Sequence, residues 1–339
     1  MAAPAEAGAT GGAVTGYDLV SIGEPLIEFN QRRRGDEDYR CGFGGDTSNA
    51  VIAAARSGAR TAYVSRVGAD PFGRALLALW AREGVDARHV VIDEAAPTGV
   101  YFVSHGESGH EFAYLRAGSA ASRLRAADVP AAVLARARHV HASGISLAIS
   151  TQACDTVLEA LAGARRDGAQ VAFDLNLRLR LWSLVRARAL LREALSLAHH
   201  VFATVEEMAT LFGCTDANAA CAYLLNTGAQ LAVVKRGAQG LLVSDGTARL
   251  ELAGHRVDAV DATGAGDALC GALLARLAAG DDLPTAATYA NAAAALSTTG
   301  YGAVAPLPTP AQVRALLNAQ TDLDGAVAGG AAKDAAHRR

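Results

Sequence analysis

Apolar positions along this chain follow two alternating rhythms. Short runs at Tyr17–Ile22, Thr61–Val67, Arg138–Ala142, Gln170–Asp174, His200–Ala203 and Leu231–Lys235 read as buried strands. Between them, Thr47–Arg56, Phe72–Glu83, Thr151–Arg166, Val185–Ala198, Glu206–Phe212 and Ala217–Asn226 carry apolar residues at helical spacing. This alternation predicts βαβ units and an α/β fold with a mainly parallel sheet covered on both faces. Ligands of such sheets bind beyond the carboxyl ends of the strands.

Two segments break the rhythm. Glu28–Phe43 carries Arg32-Arg33-Arg34 and mixed charges, and Thr98–Arg116 reads as two β runs, Gly99–Ser104 and Glu111–Leu115, around a polar turn. Together they predict a small antiparallel flap over the site, whose uncovered face is suited to pairing with a second subunit. Residues 1–16, rich in Ala, Gly and Thr, and the segment from about Thr321 to the end read as flexible tails. No run approaches the ~18 apolar residues of a membrane span.

The most informative helical run comes late. Asp261-Ala-Thr-Gly-Ala-Gly-Asp267 leads into a run to Ala279 with a stripe of Leu269, Leu273 and Leu277, and Gly280 is placed to end it. Free N–H groups and the dipole at such a helix start favour an anion. Asp267 falls in the first turn beside that anion. A backbone anion hole next to a carboxylate is what phosphoryl transfer to a hydroxyl requires.

Composition removes several alternatives. With 339 residues, 51% hydrophobic and 19% charged, the chain can bury a large core, and its length alone allows about two domains. A net charge of −3 gives no electrostatic footprint for nucleic acid or an anionic membrane. Lysine occurs only at 235 and 333, so no Gly-Lys pair exists and a P-loop is impossible. The cysteines (Cys41, Cys154, Cys214, Cys221, Cys270) have no C-x-x-C spacing and fit reduced thiols in a cytoplasmic protein. No H-x-x-x-H, G-x-S-x-G or G-x-G-x-x-G is present, which removes the commonest zinc, hydrolase and dehydrogenase signals. His199-His200 suits a helix end.

Four further constellations each allow two readings. Gly42-Phe-Gly44-Gly45-Asp46-Thr-Ser-Asn49 is either a turn with an Asp or Thr N-cap, or a site where Asp46 and Asn49 bind polyol hydroxyls. Asp174-Leu-Asn176-Leu-Arg178 places three polar residues in phase as the chain leaves a buried strand, as a solvated loop or as a site. Thr204-Val-Glu-Glu207 is complete as a capping box, although Glu207 could instead hold a metal-bound water. Lys235-Arg-Gly237-Ala-Gln-Gly240 is a hairpin or a turn beside a nucleotide, and Tyr114-Leu-Arg116 clamps an anion or faces solvent.

In this order, from Gly44-Gly45 and Asn49 to Asp174-x-Asn176-x-Arg178, Lys235…Gly240, Asp261…Gly264-Ala-Gly-Asp267 and Asn291, the chain resembles the ribokinase-like (PfkB) sugar kinases over about Tyr17 to Thr309. Ser21-Ile-Gly-Glu24-Pro-Leu, Tyr114-x-Arg116-x-x-Ser119-Ala120 and His141-Ala-Ser143-Gly144 are most similar to the 2-keto-3-deoxygluconate kinases of that family. The resemblance implies a three-layer α/β/α kinase domain over 17–320 with a lid from about 28–43 and 98–116. It also implies an enzyme that uses ATP, Mg²⁺ and in many members K⁺ to phosphorylate a sugar acid. The alternatives are a kinase of the same fold for a neutral sugar such as fructose or ribose, or a non-catalytic sugar- or nucleotide-binding regulator. The uncovered lid face and the reduced thiols predict a cytoplasmic homo-oligomer formed through the lid.

The same resemblance makes Asp267 the general base and the amides of Gly264, Ala265 and Gly266 the anion hole. It places Gly44, Gly45, Asn49, Tyr101, Tyr114, Arg116 and Arg178 around the sugar acid, with the arginines on its carboxylate. Asn176, Lys235, Gly237, Gly240 and Asn291 line the ATP side, Glu207 holds a metal through water, and Asp261 and Thr263 hold a monovalent cation. The chain departs from the family's pattern at Ala262, where Thr is usual, at Thr204, where Asn is usual, and at Leu115, where a second Tyr is common.

Overall fold

The computed structural model describes residues 16–106 and 109–319. Both expected tails lie outside the described residues, apart from Gly16. Among the described residues there are thirteen strands: β1 (Tyr17–Ile22), β2 (Leu26–Gln31), β3 (Tyr39–Gly44), β4 (Thr61–Gly68), β5 (Val90–Asp93), β6 (Val100–Gly106), β7 (Gly109–Leu115), β8 (Ala137–Ser143), β9 (Gln170–Asp174), β10 (His200–Thr204), β11 (Leu231–Lys235), β12 (Leu241–Ser244) and β13 (Arg249–Leu252). The helices are α1 (Asp46–Arg56), α2 (Pro71–Arg82), α3 (Ala131–Leu134), α4 (Gly144–Ala148), α5 (Thr151–Arg166), α6 (Leu184–Leu197), α7 (Val205–Phe212), α8 (Ala217–Asn226), α9 (Ala265–Ala279) and α10 (Leu283–Ser297), followed by a helix over 310–319.

The expected strands and helices appear within a residue or so of the boundaries that the apolar pattern gives. Nine strands form one sheet in the order β13-β12-β11-β10-β9-β8-β1-β4-β5. It is parallel from β11 to β5, with β12 and β13 added antiparallel at one edge. One face packs apolar side chains of α5–α8, including Val157, Leu161, Leu191 and Leu224, and the other those of α9 and α10, including Leu273, Leu274 and Ala290. These are the three layers of a ribokinase-like sandwich. His199-His200 opens β10 instead of closing a helix, because α6 already ends at Leu197.

The lid differs from a simple antiparallel flap. Its four strands run β3-β2-β6-β7, with two antiparallel hairpins joined through a parallel β2–β6 pair. Ile27, Phe29, Phe43 and Phe102 on one face pack toward α1 and α2. This contact anchors the lid to the body.

The site is shaped by the contact of α1 with α9. The position that a Cβ on Gly271 would occupy is 2.0 Å from the carbonyl oxygen of Ala50. Replacing a mid-helix glycine by alanine normally gains up to ~1 kcal/mol of helix propensity. Here the backbone of α1 forbids the methyl, so overpacking decides the sign. Gly271→Ala is expected to lower stability by about 1–3 kcal/mol, measured as a shift of the denaturation midpoint; an unchanged or higher midpoint would show that the two helices can separate freely.

Candidate functional site

The strand order turns on β1, whose neighbours β4 and β8 lie on opposite sides, and the crevice at the carboxyl ends opens there. Several polar residues reach it from the ends of buried strands. Asp174 is the last residue of β9, Thr204 of β10 and Lys235 of β11.

Helix α9 begins at Gly264, whose φ of 79° is left-handed and suits glycine, and ends at Gly280 with φ 94°. Its first turn presents few self-satisfied amides. The Ala265 N–H donates to the Ala262 carbonyl at 3.2 Å, while those of Gly264 and Gly266 meet no protein acceptor among the described residues. The free amides of the expected anion hole are therefore the two glycines, not Ala265. Lys235 lies just beneath, with Nζ 3.2 Å from where a Gly266 Cβ would stand. Its ammonium is bound by both oxygens of Asp174 at 2.9 and 2.7 Å. Burial works against that charge, but the carboxylates of Asp174 and Glu207 hold the Lys235 pKa above its usual value.

Asp267 faces this loop, and its Oδ2 accepts a 2.8 Å hydrogen bond from Asn49 Nδ2. Asn49 stands on the first turn of α1, after Gly45, whose φ is 98° and whose Cβ would fall 2.3 Å from the Glu24 carbonyl oxygen. Neither Asp46 nor Thr47 caps α1; Gly45 occupies the N-cap without a side-chain bond. Asp46 instead accepts from Asn176 Nδ2 at 2.8 Å. Asn176 is the single non-glycine residue with positive φ among the described residues, at 34°. It is thereby tied to Asp46 at the start of α1.

Burial, with the nearby carboxylates of Asp46 and Asp174, pushes the Asp267 carboxyl up to about 8, against opposing effects of the Asn49 bond and Lys235. Three buried polar atoms around it lack partners: Asp46 Oδ1, Asn49 Oδ1 and His141 Nε2. Orphaned acceptors of this kind cost about 1–3 kcal/mol each until a ligand supplies donors. His141 donates or accepts at Nδ1 with Ser21 Oγ, 2.8 Å away, and burial lowers its pKa.

Other expected site residues have structural partners. Arg116 is paired with the fully buried Glu24, which also accepts from Ser119 Oγ at 3.0 Å, so Arg116 is not a free carboxylate clamp. Arg178 is exposed and donates only to the Leu177 carbonyl. Tyr101 is buried with its hydroxyl on Glu28, packs over Gly44 and stacks on Tyr114 at 5.6 Å. Glu207 forms the expected capping box with Thr204. Its oxygens accept from the amides of Leu177 at 2.9 Å and Thr204 at 2.8 Å, one bond each, which leaves each oxygen a further lone pair.

Asn291 holds the Ala253 carbonyl at 2.7 Å. Gly237 opens the short turn between β11 and β12, and Gly240 is needed because a Cβ would meet the Leu252 carbonyl oxygen at 2.0 Å. Asp261 braces its own loop, accepting from Thr263 N and Oγ1 and from Gly302 N. Among the described residues, no group of three or more His, Cys, Asp or Glu side chains is arranged to hold a metal ion, and no helix is long and apolar enough to cross a membrane. All five cysteines are free thiols.

Glu24, Glu28 and His141 received no role from the sequence. A signal existed for the first two: Glu24 follows a strand whose end is fully buried, and Glu28 stands in the buried phase of β2 between Leu26 and Asn30. Asp46→Asn should bring the Asp267 titration down while leaving it above the ordinary 3.8, because burial remains. The ¹³Cγ shift of Asp267 followed against pH reads this directly; an unmoved midpoint would remove Asp46 as a cause.

The model of the pfkB family carbohydrate kinases matches residues 17–310. The chain is 36% identical over 312 residues to a 2-dehydro-3-deoxygluconokinase of Thermoproteus tenax, covering 89% of this chain and 94% of that protein. It is 33% identical over 317 residues to a probable fructokinase-4 of Arabidopsis thaliana, covering 88% and 96%. A solved structure of a putative ribokinase II from E. coli in complex with ATP and Mg²⁺ matches with a TM-score of 0.83 at 27% identity, covering 90% and 99%.

Proposed function

The chain belongs to the pfkB family of carbohydrate kinases, and from that premise we propose that it transfers the γ-phosphoryl group of ATP to a hydroxyl of 2-dehydro-3-deoxygluconate (2-keto-3-deoxygluconate). The observation that carries the chemistry is Asp267, held by Asn49 beside the open amides of Gly264 and Gly266. Asp267 takes the hydroxyl proton as the oxygen attacks phosphorus. The two amides, the N-terminus of α9 and Lys235 stabilise charge on the transferred group. Magnesium, supplied with the nucleotide, would neutralise phosphate charge there; the described residues offer it no ready-made cage, and Glu207, with acceptor capacity beyond its two capping bonds, would hold it through water. The turn at Gly237–Gly240 and the Asn291-anchored loop would wall the nucleotide. Asp261 and Thr263 shape the anion loop, next to which a monovalent cation would stand. The lid, anchored in the body, would exclude water from the site and offer Tyr39, Tyr114 and Leu115 to a second subunit.

For the acid group, Arg178 is the available guanidinium, and the unpaired Asp46 and Asn49 oxygens suit a polyol. A second reading, a neutral ketose such as fructose, draws on the Arg116–Glu24 pair and the fructokinase relative.

Three outcomes test these roles. Asp267→Asn should lower kcat by about 10²–10⁴-fold while leaving sugar binding measurable; retained turnover would remove Asp267 from the mechanism. Because the base acts ionised, kcat/KM should rise with pH along an acid limb well above the ordinary carboxylate range, toward about 8. ADP release should favour 2-dehydro-3-deoxygluconate over fructose and ribose, and Arg178→Ala should cost about 1.5–3 kcal/mol in kcat/KM for the acid alone. Faster turnover of a neutral sugar would select the second reading.

A further inference from the structure

Beyond the free edge of β3 lies a cavity of about 540 Å³, bounded by the lid, the C-terminal ends of α1 and α2 and residues 301–305. It is separate from the catalytic crevice: neither Asn49, Asp267 nor the 264–266 loop lines it. Six charged side chains do. Of its two acids, Glu83 is held by Arg56 in a bidentate pair at 2.8 and 3.0 Å, and Arg56 also donates to the Leu307 carbonyl. Glu28 accepts the Tyr101 hydroxyl, and burial raises its pKa toward the neutral form. Both acids are therefore satisfied within the fold.

The remaining arginines, Arg32 after β2, Arg40 on β3 and Arg82 at the end of α2, are exposed, and their guanidinium groups form no hydrogen bond or ion pair among the described residues. Arg40 and Arg82 feel Glu28 and Glu83 only through space. Phe43, Leu79 and Val304 give the cavity an apolar side.

We propose that this cavity is a second binding site, for a small polyanion of the phosphorylated sugar-acid type. Its volume lies in the small-molecule range of about 300–1,000 Å³. Guanidinium forks match carboxylate and phosphate oxygens, and three of them on three different elements suit a ligand charged at more than one place. The apolar wall takes a carbon skeleton. The site touches the catalytic loop through residues 302 and 303: Gly302 N bonds Asp261, and Ala303 packs under Gly264.

The test is calorimetric titration of the full chain with 6-phosphogluconate and with pyrophosphate, at fixed ionic strength, with and without a saturating non-hydrolysable ATP analogue. Saturable binding of either anion should persist with the analogue present. The double variant Arg40→Ser, Arg82→Ser should weaken it about tenfold or more without moving the thermal midpoint, since neither side chain holds the fold together. Tighter binding of 6-phosphogluconate would identify an organic phosphate, and equal binding an inorganic one; both support the site. A flat titration, or binding abolished by the analogue and untouched by the double variant, would overturn it. So would a dimer of the free protein that the double variant dissociates, because a second copy would then occupy the β3 edge.

Discussion

The close approach of α1 to α9 is the constraint on which the site depends. Gly271 lets the two backbones meet at Ala50, and the first turns of both helices then face each other across the crevice. Asn49 on one and Asp267 on the other come within a hydrogen bond, although 218 residues separate them in sequence. The entry to each helix is bent by a glycine with positive φ, Gly45 and Gly264, which turns the chain sharply enough to leave amides pointing inward. A side chain at any of these three glycines would act on the geometry of the base, not only on stability.

Charge is crowded at this point. Asp174, Glu207 and Asp267 gather around Lys235, so one ammonium answers several carboxylates in a low-dielectric pocket. The raised pKa values of Glu207 and Asp267 follow from burial, with Asp174 adding to both, while Lys235 only partly offsets them. A ligand that brings positive charge or hydrogen-bond donors relieves this crowding, and one that brings only negative charge needs the amides of the α9 N-terminus.

The lid is tied to the crevice from two sides. Arg116, at its exit, is fixed on Glu24 at the end of β1, and Arg180, from the loop after β9, donates to the Phe112 carbonyl of β7 at 3.0 Å. Arg116, which looks like a substrate clamp in a linear reading, thus serves as a lid anchor. Arg178, by contrast, is exposed and donates to the carbonyl of its neighbour Leu177.

Much of the architecture was legible in the sequence because local forces decide it. Strand and helix rhythm, the αL glycine ending α9 and the Thr204–Glu207 capping box are set by neighbours a few residues apart, and the structure has them where the pattern put them. The antiparallel edge of β12–β13 and the alanine-rich α10 were less legible, since their apolar residues show no sharp period. What only the tertiary structure decided is which charged groups are already matched. Arg116 on Glu24, Tyr101 on Glu28, Asn176 on Asp46 and Asn291 on the Ala253 carbonyl all join residues far apart in sequence. A sequence displays a side chain's capacity to bond, but its free or satisfied state follows from long-range packing, and that state separates a ligand contact from a structural brace.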